Sequence, residues 1–321
     1  MKNDQLVIGL TGDVMIGRTV DSSISREGYR YVWGNVLPLL RSTDMNLVNL
    51  ETTLTNSNKI VTKTFNFKAS PDKIKCLKDA NVTVANLANN HILDFSEEGL
   101  IETIQTLKKA GIEYVGAGMN DKEASKPVIL TRKNIRIGIL GFTDNEPTWK
   151  AGTAKSGINY INVSSEDDRK SALLSIAQLK KEAGLVIISI HWGPNMKEFP
   201  EKNFIDFAHQ MIDNGAGIIH GHSAHNFQGI EVYDNKLILY DTGDFVDDYR
   251  VDPVFRNNHS FFFRVEADEK GVTKLKLFPV LISDYQVNLA AKDAKWSLQR
   301  MQHLSGKFGT TITEAGEVVL R

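Results

Sequence analysis

Short, β-branched apolar runs alternate with amphipathic stretches along most of the chain, a pattern that predicts a mixed α/β protein. Strands are expected at Leu6 to Gly12, Asn46 to Leu50, Val82 to Leu87, Ile112 to Val115, Ile135 to Gly141 and Leu185 to Ile190. Between them, Ser96 to Ala110 reads as a helix: Ser96 stands at the N-cap, Glu97 and Glu98 follow it, and Leu100, Ile104 and Leu107 share a face. Gly111 terminates it. A second helix is predicted from about Glu166 to Ala183, with Leu173, Ile176, Ala177 and Lys180 on one side.

After residue 215 the pattern changes to strands joined by tight turns. Ile230 to Tyr233 and Leu237 to Tyr240 flank Asp234-Asn235-Lys236, which predicts a hairpin. Ser260 to Glu266 and Thr273 to Ile282 follow as two antiparallel strands around a polar turn, Asp268-Glu269-Lys270-Gly271. Residues 246 to 258 are polar and read as a loop. A helix after Ala290 and an extended tail from Thr310 to Leu320 complete the pattern. No repeat or long linker divides the chain, so a single domain is expected over residues 1–321, its core at about 6–282 with the helix and tail outside.

Charge changes this picture little. With 38 Lys and Arg against 39 Asp and Glu, spread evenly, the chain lacks the basic footprint that holds nucleic acid or an acidic membrane surface. Cys76 is the only cysteine, which excludes an intramolecular disulfide and a cysteine-rich zinc module and fits a reducing compartment. The apolar run Leu6 to Leu10 is too short for a signal-peptide core, and no stretch approaches the ~20 apolar residues of a membrane span. A soluble, cytoplasmic protein is expected; no heptad seam points to a particular oligomer.

Histidine placement is the most informative chemistry. Five of the eight histidines lie in three segments that each follow an expected strand: His91 in Asn89-Asn90-His91, His191 in His191-Trp192-Gly193, and His220, His222 and His225 within six residues. Imidazoles this close repel one another when protonated, so they are tolerated when neutral and coordinating, or when paired to carboxylates. Asp13, after Gly12, and Glu51, after Leu50, stand at the carboxyl ends of the first two strands, where α/β proteins place site residues. Together Asp13, Glu51, Asn90, His191 and the His220 to His225 group offer hard oxygen and borderline nitrogen ligands without a thiolate, a set that suits one or two ions of manganese, iron or zinc.

The segments GDVMIGR (from Gly12), NLETTLT (from Asn49), LANNHILDFSEEGL (from Leu87), HWGPN (from His191) and HGHSAHNFQGIEVYDNKLILYDTGDFVDDY (from His220) occur in an order that resembles the CapA family. These are the poly-γ-glutamate capsule synthesis proteins of the calcineurin-like metallophosphoesterase superfamily. The resemblance runs from about Leu6 to Ile282 and implies a four-layer α-β-β-α sandwich with ligands on loops at strand ends. It further implies Asp13 as the first-motif aspartate, Glu51 as a bridging carboxylate, Asn90 as a metal ligand, His91 as general acid, His191 as the fourth-motif ligand, and His222 with His225 as the final histidine pair. His220 is an additional candidate. Met15 stands where a phosphoesterase carries a histidine ligand, Glu51 is longer than the usual aspartate, and Asp244 occupies a place where many members carry Asn. Glu51 reaching across, or His220 or Asp244 substituting, would complete the centre.

Three functions remain open on this reading. The first is a metal-dependent hydrolase or transferase acting on a phosphoester or a γ-glutamyl-like peptide. Here His91 delivers a proton, and Asp94 either orients His91 or caps the helix near Ser96. Trp192 either walls the pocket or belongs to the core. Arg18, and Lys63 or Lys68 in the hairpin-like segment Thr62 to Lys68, pair with substrate anions or are simply solvated. The second is a metal-independent peptide epimerase using Asp13 with one of His91, His222 or His225. The third is a non-catalytic protein that binds a polyanionic polymer or an assembly partner.

Overall fold

The computed structural model describes residues 5–320. Its buried side chains are organised by two sheets. The larger runs in the order Gln286–Leu289, Gly271–Ser283, His259–Asp268, Leu6–Val14, Met45–Leu50, Val82–Asn86 and Glu113–Val115, with the short strands Asp244–Val246 and Glu317–Val318 joining off this path. The second runs Ile230–Tyr233, Lys236–Leu239, Ile218–His222, Leu185–His191, Ile135–Thr143 and Val128–Arg132. The central pairs in both sheets are parallel, so their carboxyl ends emerge together.

Alternation along each strand defines the layers. Ile8, Leu10 and Leu47 of one sheet meet Ile187, Ile218 and Leu239 of the other in a single apolar cluster between them. Val48 and Leu50 face outward against Leu100, Ile104 and Leu107 of the Ser96–Ala110 helix. On the opposite side, Val186, Ile188 and Ile190 pack on Ile176 and Leu179 of the Glu166–Glu182 helix and on Phe207 and Met211 of Lys202–Asp213. The order helix, sheet, sheet, helix is the four-layer α/β sandwich that the resemblance implied. Among the described residues no helix is long and apolar enough to cross a membrane.

One irregularity decides where the first acid points. Leu10 pairs with Leu47 but Asp13 with Asn49, so the first strand carries one residue more than its partner and is bulged. A bulge reverses the alternation. Asp13 therefore shares the inter-sheet face with Leu10, while Val14 turns to the helix side. The adjoining strand runs so close that a Cβ on Gly12 would lie 1.8 Å from the Gly243 carbonyl oxygen.

Several expectations about local structure are corrected. Ser96 is not the N-cap: it is the first helical residue, Phe95 caps, and the Ser96 hydroxyl donates to the Phe95 carbonyl at 2.7 Å. The buried stripe of the Glu166–Glu182 helix holds Ile176 as expected, with Leu173 packed at its edge, but it is completed by Ala172 and Leu179, while Ala177 is half-buried and Lys180 exposed. Thr62 to Lys68 forms no hairpin; Lys68–Ala69 instead pairs in parallel with Thr53–Leu54. The expected hairpin at Asp234 is present but tighter, with Asp234 and Asn235 both at positive φ between Tyr233 and Lys236. Nor does the core stop near Ile282, because Met301, Leu304, Ile312 and Val318 enter the inter-sheet cluster.

Candidate metal centre

The carboxyl ends of both sheets deliver their polar residues to one buried spot. Asp13 comes from the bulged first strand, Glu51 follows Met45–Leu50, and Asn90 and His91 lie beyond Val82–Asn86. From the second sheet, His191 and His222 are the last residues of their strands. His225 follows in a loop, at φ 58°, beside Asp244. Asp13, Glu51, His191, His222 and Asp244 are all 0% exposed, which makes their convergence chemically costly unless something compensates.

Asp13 is the hub. Its Oδ1 lies 3.8 Å from both His191 Nδ1 and His222 Nδ1, and its Oδ2 lies 3.8 Å from His225 Nδ1. Two groups of potential ligand atoms result: Asp13 with His191 and His222, and Asp13 with Glu51, His225 and Asp244. The shared position expected of Glu51 thus falls to Asp13 in these groups, although Glu51 Oε1 is also 4.0 Å from His191 Nε2 and 3.9 Å from His91 Nε2. Asp244 joins where Met15 cannot. The Met15 side chain is buried in the outer apolar cluster, and its sulfur accepts from the Gly17 amide at 3.2 Å.

A cation fits this site on two grounds. Asp13 Oδ2, Glu51 Oε1, His191 Nε2 and Asp244 Oδ2, all on residues of these two groups, are buried without a hydrogen-bond partner, as is Asn90 Oδ1 of the cavity lining, which is rare for single atoms and rarer for four grouped together. The electrostatics agree. Burial, then the neighbouring Glu51 carboxylate, pushes the Asp13 pKa well above the ordinary range, and burial raises Asp244 as well. Burial lowers His191 and His222, and holds His220 down at about 4, so all three imidazoles are neutral, and His191 and His222 are placed to coordinate. His225 behaves oppositely. Burial disfavours its charge, but Asp244, then Glu51 and Asp13, raise its pKa well above normal.

The remaining candidates separate clearly. His91 donates from Nδ1 to Asp94 Oδ2 at 2.6 Å and stacks on Phe67 with ring centroids 3.8 Å apart. Asp94 also accepts the Phe67 amide at 2.7 Å, so its carboxylate is taken up by these groups and not by a helix cap. Arg18 lies on the wall of a cavity of about 600 Å³ above the cluster, paired to Asp248 at 3.3 Å, with its guanidinium 5.3 Å from the Phe67 ring. Lys63 lines the same cavity, 3.2 Å from Asp94 and over the Trp149 ring, while Lys68 turns away to Ser57 and Asn58. Trp192 is no part of the cavity wall: it packs edge-on against Phe204 in the outer core, and its indole N–H donates to the Tyr240 carbonyl at 2.9 Å. His220 stays out of both ligand groups, its Nε2–H donating to the Thr11 carbonyl at 2.7 Å.

Two residues were missed. Tyr249 donates its hydroxyl to Glu51 Oε2 at 3.0 Å and sets its ring edge-on to His225, centroids 5.1 Å apart. Asn49 donates to Asp13 Oδ1 at 2.7 Å and lies 3.3 Å from His191 Nδ1. Only their presence inside the quoted motifs pointed to them; nothing in their type or spacing did.

The fold and this buried carboxylate–imidazole cluster define an α/β sandwich protein with a centre suited to divalent ions. The chain belongs to the bacterial capsule synthesis protein family PGA_cap, whose model matches residues 7–249. It is 34% identical to the capsule biosynthesis protein CapA of Bacillus anthracis, over 88% of this chain and 69% of that one. A probable polyglutamine synthesis accessory protein of Mycobacterium tuberculosis (strain ATCC 25618 / H37Rv) is 30% identical, over 96% of this chain and 93% of its own length. The PGA biosynthesis protein CapA of Bacillus subtilis (strain 168) is 30% identical over 91% and 76%. Among solved structures, a hypothetical protein from Thermus thermophilus superposes over 85% of this chain and 98% of that one, with a TM-score of 0.49 and 12% identity.

Proposed function

We propose that this protein is a metal-dependent hydrolase or transferase that acts on a γ-glutamyl-type peptide bond or a phosphoester during synthesis of an anionic capsule polymer. The observation that carries this reading is the set of four unpartnered buried ligand atoms, on Asp13, Glu51, His191 and Asp244, within the two groups that share Asp13. Asp13, Glu51, Asn90, His191, His222, His225 and Asp244 would hold the ion or ions. Such an ion supplies Lewis-acid polarisation of a substrate oxygen. The protein's own residues supply the rest. Asp94 fixes the Nδ1–H of His91, so Nε2 faces the cavity and, when the ring carries a second proton there, can hand that proton to the departing oxygen or nitrogen. Arg18 and Lys63 place positive charge beside the entering substrate. The roles for which the relatives are named, capsule biosynthesis and polyglutamine synthesis, support a polymer of amino-acid units as the substrate class.

The spacing of Asp13 speaks against the epimerase pairing with His222. An acid and a base on opposite sides of a carbon must stand roughly 5–6 Å apart, each about 3 Å from it, and the 3.8 Å between Asp13 Oδ1 and His222 Nδ1 leaves no room. Elemental analysis of protein purified without chelator is expected to find about one or two equivalents of manganese, iron or zinc. Chelation should then abolish hydrolysis. A metal-free protein with full activity would sink the proposal.

A further inference from the structure

His220 is buried between the sheets beside the cluster yet contributes no ligand atom, and its hydrogen bonds have only one consistent arrangement. Its Nε2 lies 2.7 Å from the carbonyl oxygen of Thr11, which can only accept, so the proton of the neutral ring is on Nε2. Nδ1 must then accept, and its partner is the Ser189 hydroxyl at 3.2 Å. That hydroxyl has a single proton. Having given it to His220, Ser189 can only accept from His222, whose Nε2 lies 3.0 Å away. The proton of His222 is therefore on Nε2, and the lone pair is on Nδ1, which faces His191 Nδ1 at 3.0 Å, whose proton it can accept, and Asp13 Oδ1 at 3.8 Å.

We propose that Thr11, His220 and Ser189 form a relay that locks His222 in the Nε2–H tautomer and turns its Nδ1 lone pair into the cluster. His220 and Ser189 are positioning residues. Metal-binding imidazoles commonly donate their other N–H to an anchor that fixes ring and tautomer, and here that anchor is a hydroxyl held in turn by a second imidazole. Strand register builds the relay, because Ser189 stands opposite His220 on adjacent parallel strands and His191 opposite His222. The inference rests on the metal-centre reading for its purpose, but not for its geometry.

The test is ¹⁵N NMR of the histidine side chains in the full-length, chelator-treated protein, combined with Zn²⁺ and Mn²⁺ titration of the wild type and Ser189→Ala. The expected result is Nε2–H on both His220 and His222 in the wild type. In Ser189→Ala, His222 should lose that single tautomer, with metal affinity falling about 10- to 100-fold. A wild type with His222 as the Nδ1–H form overturns the relay, as does a Ser189→Ala protein that keeps both tautomer and affinity. Should the wild type bind neither ion while His222 still carries its proton on Nε2, the metal reading fails and the relay stands.

Discussion

The two sheets contribute to the centre in chemically different ways. The larger sheet brings Asp13, Glu51, Asn90 and Asp244, which are oxygen donors, whereas the second brings His191, His222 and His225 with the relay behind them. Neither half makes a site alone. The oxygen half would concentrate repelling carboxylates, and the nitrogen half would hold neutral rings without charge to attract an ion. Their meeting gives a mixed set suited to manganese, iron or zinc.

This comparison can be broken most directly at the hub. Asp13→Asn removes the charged oxygens common to both ligand groups, and metal content should fall at least about tenfold for every ion bound. His91→Gln comes next: hydrolysis should drop about 10²- to 10⁴-fold with metal content unchanged, which separates proton delivery from ligation. His222→Ala and Asp244→Ala sharpen the contrast, each weakening one group and leaving the other, as a stoichiometry measurement would show; identical loss in both would mean a single shared ion. Tyr249→Phe keeps the ring against His225 and removes only the donor to Glu51 Oε2, so about a tenfold loss of metal affinity is expected with the melting temperature little changed.

An imidazole outside the centre bears on stability and not on ligation. His259 is 2% exposed against Trp296, and burial, then Arg256, holds its pKa down at about 4. Because the folded value lies below the ordinary 6.5, the unfolded chain takes up this proton first. The contribution is complete above pH ~6.5 and is lost as the pH falls toward 4, by at most about 3 kcal/mol. Urea unfolding at pH 7 and 4.5 should show that loss in the wild type and a smaller one in His259→Gln.

Alternation along the strands made much of this architecture legible. On Leu185–His191, Ile188 and Ile190 face the helices and Ser189 and His191 face the other sheet. The same parity sends Trp192 into the outer core, so the tryptophan's place was readable from period two alone. Asp13 is the opposite case. Unbroken alternation from Ile8 and Leu10 would have sent it to the helix side, and the bulge that returns it to the cluster is a property of pairing, not of composition. Periodicity marked neither Asp244 nor Tyr249 for a related reason: each acts through a partner distant in the chain, His225 and Glu51, and carries no periodic signal of its own. His220 stood in the densest histidine cluster, but ring direction, which separates a ligand from a support, is set by the Thr11 carbonyl on another strand.

The close approach at Gly12 makes the centre vulnerable to a single methyl group. Alanine there would have to wedge the first strand away from the peptide between Gly243 and Asp244, carrying Asp13 and Asp244 apart with it. A change that removes no donor atom would thus dismantle the site as surely as deleting one, which makes this glycine a keystone that a survey of ligands alone would pass over.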